Sequence, residues 1–168
     1  MKQFIILIIL VFVIHHVFSQ TEIADRSKNI VFAEVAGAGG FGSVNYEREI
    51  IQKGHLKFSL RGGLGLYHIT DFEMKFNPDL IIPLTMFFYY GKKHHIDVGF
   101  GQTISSMVYM DFKEMEKKRS YHLHSNLSVG YRYQKSSGGF FFKLSYSPLL
   151  QFNQIYEHWG AASFGYGF

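Results

Sequence analysis

Residues 55–67 read HLKFSLRGGLGLY. Leu56, Phe58, Leu60, Leu64 and Leu66 fall on one parity, and Lys57, Ser59, Arg61, Gly63 and Gly65 fall on the other. A period of two is that of a β-strand with one apolar and one polar face. Which of the two faces meets water decides what kind of protein this is.

The same alternation recurs along the chain. Ile96, Val98 and Phe100 oppose His95, Asp97, Gly99 and Gly101. Leu123, Leu127, Val129, Tyr131 and Tyr133 oppose His122, His124, Asn126, Ser128, Gly130 and Arg132. Phe140, Phe142, Leu144 and Tyr146 oppose Phe141, Lys143, Ser145 and Ser147, and at the end Ala162, Phe164, Tyr166 and Phe168 oppose Ala161, Ser163, Gly165 and Gly167. Eight strands are expected, over residues 30–38, 41–50, 55–67, 80–91, 94–104, 120–134, 138–147 and 158–168. The break near Gly37–Gly40 is the least marked, and the strand at 80–91 is apolar on both faces, through Ile81, Phe87 and Tyr89.

The glycines choose the face. A polar face turned to solvent welcomes long charged side chains, and Gly there only weakens the strand. Here the polar face pairs Gly with single charges, which suits the cramped inside of an eight-stranded barrel. The oily face then meets lipid, with Tyr and Phe near the strand ends as an interfacial girdle. A closed barrel also pairs every backbone group within the membrane. The fold class expected is an all-β, eight-stranded, antiparallel, up-and-down transmembrane β-barrel. The soluble alternatives are a lipocalin-like ligand-binding barrel or a secreted sandwich.

The connections agree. Those after the second, fourth and sixth strands are short (IQKG, GKKH, QKSSGG), whereas residues 68–79, 105–119 and 148–157 form long ones. Tight periplasmic turns alternating with longer outer loops are characteristic of outer-membrane barrels. The first connection, AGGFG, is short where a long one is expected.

At the N-terminus, Lys2 precedes the apolar run FIILIILVFVI (4–14), and Val17 and Ser19 stand at the −3 and −1 positions of a cleavage site. Residues 1–19 therefore read as a secretory signal peptide, residues 20–29 as a short periplasmic segment and 30–168 as the barrel. The apolar run is short for a helical span. The 168 residues include 18 Phe and 11 Tyr but no Cys, which removes disulfides, thiol catalysis and thiolate metal sites. A net charge of +4 without a Lys/Arg stripe gives no footprint for nucleic acid.

The nine histidines raise the question of metal or catalytic chemistry. His95 with Asp97, and His122 with His124, each share a face. Antiparallel pairing puts the first pair near a turn and the second near a long loop, so no four-ligand metal site is expected, and no cofactor. His94-His95 reads as a polar turn. Glu47, Lys57, Arg61, Asp97, Arg132 and Lys143 are expected to form interior ion pairs that plug the barrel, because buried charges need partners. His122 and His124, beside Ser120 and Ser125, are the candidates for catalysis of the kind performed by lipid A-modifying barrels. Both histidines have inward parity and Ser125 outward parity, so no nucleophile–base contact is expected.

The chain ends Phe164-Gly-Tyr166-Gly-Phe168. This resembles the C-terminal assembly signal of outer-membrane barrels, with Ser163 where that pattern usually has Gly. GSVNYERE (42–49), GYRYQKSSGGFFFKLSYSPL (130–149) and GAASFGYGF (160–168) resemble the small outer-membrane β-barrel proteins of Bacteroidota, an OmpA/OmpX-like eight-stranded type. The resemblance implies location in the cell outer membrane, contact with its lipid, and recognition of Phe164, Tyr166 and Phe168 by the barrel-assembly machinery. It implies no substrate. The role expected is structural or surface-interactive, through loops 68–79, 105–119 and 148–157. A lipid A-modifying enzyme and a narrow pore are the alternatives.

Overall fold

In a computed structural model of the chain, residues 26–66, 68–71, 73–112, 116–150 and 158–168 are described. The signal-peptide reading of residues 1–19 and most of the segment 20–29 lie outside them.

The strands are β1 (Asn29–Val35), β2 (Gly42–Lys53), β3 (Leu56–Leu66), β4 (Leu80–Gly91), β5 (His94–Asp111), β6 (Glu116–Gln134), β7 (Gly139–Tyr146), β8 (Leu149–Leu150) and β9 (Gly160–Gly167). Each long strand pairs antiparallel with its neighbours in the chain, and β9 pairs with β1, opposite Ile30–Val35, to close the sheet on itself. The two residues of β8 pair with Ser125 and Asn126 on the same strand that β7 pairs with, so β7 and β8 form one stave broken at Ser147-Pro148. The result is a closed barrel of eight antiparallel staves. Among the described residues no helix is long and apolar enough to cross a membrane. β2, β3 and β4 have 12, 11 and 12 residues, about the length a tilted strand needs to cross one.

Burial follows parity. Lys57, Ser59 and Arg61 are buried, and Leu56, Leu60, Leu64 and Leu66 are exposed. On β5, Asp97 is fully buried while its neighbour Ile96 is 71% exposed. A protein core would invert this order, so the outside of the barrel is its oily face.

In β4 both faces are apolar because Ile81, Phe87 and Tyr89 turn inward as rings and branches that fill the lumen. Gly99 makes room for one of them, since a Cβ there would lie 2.2 Å from the Phe87 ring. The interior is a mixed layer of aromatics and charges, with Phe32 and Phe141 packed at 5.1 Å between centroids.

Four features differ from the sequence reading. First, β1 stops at Val35, because Ala36 and Gly37 take positive φ and lead into a one-turn 3-10 helix, Gly37–Gly39. The short first connection folds inward, where Ala38 is buried and its carbonyl accepts a hydrogen bond from Thr103 Oγ1 at 3.1 Å. Gly39 allows this close approach, as a Cβ there would meet Ser43 Oγ at 2.3 Å.

Second, β2 continues to Lys53. A register shift between Glu49 and Ile51 keeps Glu49 inside and turns Ile51 out. Third, residues 105–119 are mostly strand: β5 and β6 pair without interruption from His94↔Tyr133 to Asp111↔Glu116. The hairpin projects beyond β4, whose last partner on β5 is Ser106. Out there both faces are polar or mixed, so the period-two contrast fades. Fourth, His95 is a buried strand residue rather than part of a turn, because the β4–β5 turn is only Lys92-Lys93.

Candidate functional site

Two regions hold the polar side chains that could do chemistry: the barrel interior and the loop-end rim. Inside the strands, Glu34, Glu47, Glu49 and Asp97 face Lys57, Arg61, Arg132 and Lys143, all buried. Four acids oppose four bases on the strands themselves, so the charges that the strands turn inward balance.

The structure places all six expected plug residues in ion pairs, and four of them, Glu47, Asp97, Arg132 and Lys143, meet in one cluster deep inside. Arg132 is fully buried at the centre. Its Nη2 reaches Glu47 Oε2 at 3.1 Å, its Nη1 also bonds Glu47, and its Nε donates to Asp97 Oδ2 at 3.1 Å. Lys143 Nζ lies 3.1 Å from the same Asp97 oxygen. Ser59 donates to Glu47 at 2.6 Å. The Arg132 guanidinium also stacks 4.3 Å from the Tyr89 ring centroid, with Phe87 and Phe141 at 5.3 and 5.5 Å.

Arg61 belongs to a separate layer toward the loop end. It grips Glu34 through two bonds of 2.9 and 2.6 Å and donates to Asn45 at 2.9 Å. Ser163 donates to Glu34 at 3.2 Å, which gives the serine in the terminal strand a specific partner. Lys57 lies toward the turn end, 3.3 Å from His95 Nε2 and 3.9 Å from Glu49. Tyr89 donates to Glu49 at 3.0 Å, and Arg26 also pairs with Glu49.

Glu34, Glu49, His95 and Tyr89 are thus members of the network that sequence reasoning passed over. Parity flags Glu34, Glu49 and Tyr89, since the bulge in β2 comes only after Glu49.

At the loop end, His124 Nε2 lies 3.1 Å from Ser105 Oγ, and His122 Nε2 lies 3.0 Å from Ser120 Oγ. Serine–histidine contacts are therefore present, but with Ser105 and Ser120. Ser125 instead accepts from Gln102 at 3.1 Å. His122 is exposed despite its inward parity: on the side away from β5, β6 has no described strand partner beyond Ser125. His122 and His124 stack at 6.0 Å, far up the strand from His95 and Asp97. Among the described residues no group of three or more His, Asp or Glu could hold a metal ion.

Beyond the rim, the loop 68–79 is fastened to the hairpin by charge. Lys117 Nζ contacts Asp71 at 2.9 Å and Glu73 at 2.8 Å. The Lys117 hydrogen bond holds the Asp71 carboxyl down to about 2 and also lowers that of Glu73. Asp79 accepts from the Val108 amide at 2.7 Å and contacts His68 at 3.0 Å. Arg119 donates to the Pro78 carbonyl, to Ser106 and to Asn77. The apolar side chains of Ile69, Met74, Phe76 and Phe112 are left exposed on this platform.

Phe164 and Tyr166 on β9, and Phe168 just beyond it, are exposed at the seam with β1. Phe164 packs on Phe142 at 5.2 Å. Of the loop 148–157, residues 151–157 lie outside the described part of the chain.

No protein-family model matches this chain, and no curated protein matches it in sequence. Solved structures do. The N-terminal β-barrel domain of Pseudomonas aeruginosa OprF superposes with a TM-score of 0.57 at 12% identity, over 86% of this chain and 98% of that one. Ail, the attachment invasion locus protein of Yersinia pestis, superposes with a TM-score of 0.54 at 11% identity, over 84% and 95%. At these identities the likeness shows the fold: an eight-stranded β-barrel of the outer-membrane type.

Proposed function

We propose that this chain is an integral barrel of a bacterial outer membrane with a structural or surface-interaction role carried by its loop end. The observation that carries the reading is the inversion of burial, with leucines, valines and phenylalanines outside and balanced ion pairs inside. In water such an exterior would cost on the order of 25 cal/mol for each Å² of apolar surface left exposed. In lipid it costs nothing, and the buried charges are kept from lipid by one another. The lumen, filled around Arg132 by paired charges, favours a plug over a pore.

The loop end offers exposed apolar side chains on a charge-fastened platform, a surface suited to a protein partner. The attachment named for Ail is in keeping with this reading. The exposed Phe164, Tyr166 and Phe168, on and just beyond the closing strand, are the handle we assign to the barrel-assembly machinery.

Because the chain has no cysteine, single introduced cysteines test the arrangement cleanly. Tyr109→Cys on the hairpin should react with a membrane-impermeant maleimide on intact cells. Lys92→Cys on a short turn should react only after the outer membrane is opened. Reaction of both on intact cells, or recovery of the protein in the soluble periplasm, would overturn the reading.

The Ser105–His124 contact favours one second reading, an enzyme acting on lipid at the outer rim. It predicts a change in lipid A mass on expression that disappears in His124→Ala.

A further inference from the structure

The two ends of the barrel treat their cations differently. At the loop end, Lys75, Lys117 and Lys118 each hold an acidic partner. At the turn end, Lys28, Arg48, Lys53, Lys92, Lys93 and Lys135 have no ion pair among the described residues. The described acid nearest that rim, Glu49, is buried and already holds Arg26 and Lys57. Among the described residues this rim therefore carries a ring of positive charge without acidic partners.

Two concavities lie within the ring. An open basin of about 630 Å³ is framed by the three short turns and lined by His55, Lys57, Lys92, Lys93, Lys135 and Ser136, among others. On the outer surface beside it, a groove of about 380 Å³ is lined by Ile51, Lys53, Leu56, Lys57, Phe58 and Phe88. The bulge that turns Ile51 outward forms one wall of this groove. The groove continues into the lipid-facing belt, where Phe58 packs on Phe88 at 4.9 Å.

The height of the ring is marked by amphipathic side chains. His94 bonds Tyr131 at 2.6 Å, His55 meets Tyr90 edge-on at 5.9 Å, and Tyr46 donates to Asn29 at 2.7 Å. Such side chains sit where acyl chains give way to headgroups. A cationic ring at that level faces phosphates, and an apolar groove directly beside it faces the chains attached to them.

We propose that the turn end is a binding site for anionic phospholipid of the membrane leaflet it faces. One acyl chain lies in the Ile51–Phe58–Phe88 groove, and the headgroup phosphate sits among Lys53, Lys92 and Lys93. The proposal rests on the membrane-barrel reading above. A zwitterionic lipid fits the groove equally well, so selectivity belongs to the lysines.

The test uses the full barrel folded into phosphatidylcholine vesicles containing a few per cent of spin-labelled lipid, either phosphatidylglycerol or phosphatidylcholine. The fraction of label immobilised on the protein gives the relative association. Wild type should favour phosphatidylglycerol roughly five- to tenfold, as expected for several lysines near an anionic group. Lys53→Gln/Lys92→Gln/Lys93→Gln should bring the ratio close to one, and Lys117→Gln at the loop end should leave it unchanged. Equal association of the two lipids with wild type would overturn the site, as would a preference that survives the triple substitution. Faster migration of the unboiled band on a gel reports insertion separately. If it never appears in vesicles, the membrane reading itself fails, and the lipid site with it.

Discussion

Arg132 on β6 and Glu47 on β2 meet at the centre of the barrel through two hydrogen bonds, although 85 residues separate them in sequence. Neither strand neighbours the other in the sheet, so the pair ties opposite walls together across the lumen. Asp97 and Lys143 extend it to β5 and β7.

Removing one partner should therefore be costly. Arg132→Met leaves Glu47 buried with Ser59 as its remaining hydrogen-bond donor, and a loss of about 3–5 kcal/mol is expected. Adding Glu47→Leu should recover much of that loss, because the uncompensated charge goes with it and Asp97 keeps Lys143. Equilibrium urea unfolding in vesicles of the two single variants and the double variant measures the coupling directly.

The packing around that pair gives a second test. Gly99→Ala would place a methyl 2.2 Å from the Phe87 ring, which is itself held under Arg132 and Lys143. A loss of about 1–3 kcal/mol is expected from overpacking. Phe87→Leu in the same chain should reduce the penalty, as read by the same unfolding midpoint.

These two cases show what the sequence makes legible. Where one face meets lipid and the other a crowded lumen, as in β3 and the first half of β5, period two is sharp and the strands and their inward residues can be read off. Above the belt the contrast is lost, so SSMVYMD (105–111) and EKKR (116–119) look like loop although they pair as strand. Glu49 shares the inward parity of Asn45 and Glu47 and was legible; what parity counting cannot include is the bulge after it, which turns the odd-numbered Ile51 outward. The inward fold of Gly37–Gly39 has no periodicity at all; its signal is only a run of residues too small to obstruct it.

The loop platform should respond to acid in a defined window. Asp71 is held at about 2 by Lys117 and by the Glu73 and Lys75 amides. A carboxyl lowered on folding stabilises the structure above its unfolded value of roughly 3.9 and loses that contribution as pH falls through its folded value. The loop 68–79 should thus stay fastened to the hairpin at pH 4 and release as the pH approaches 2. Lys117→Gln should move the Asp71 titration upward. A carboxyl-carbon NMR titration of Asp71 in both proteins checks this.

On the oily face, one added charge should be expensive. Phe100→Lys sits in the middle of the apolar run on β5, opposite Met86 and Leu127, and a cost of about 2–4 kcal/mol is expected at the bilayer midplane. The same substitution on the exposed face of a soluble barrel would be close to neutral. Folding yield into vesicles and the urea midpoint distinguish the two.

The central claim is that the leucine face of HLKFSLRGGLGLY meets lipid, and collision accessibility of a nitroxide at Leu60→Cys and Leu64→Cys in vesicles tests it most directly. The account predicts strong broadening by oxygen, which partitions into the bilayer, and little by a water-soluble nickel complex. Ready access of the nickel complex at both positions, with oxygen access no higher than in solution, would mean that this face meets water and would contradict it.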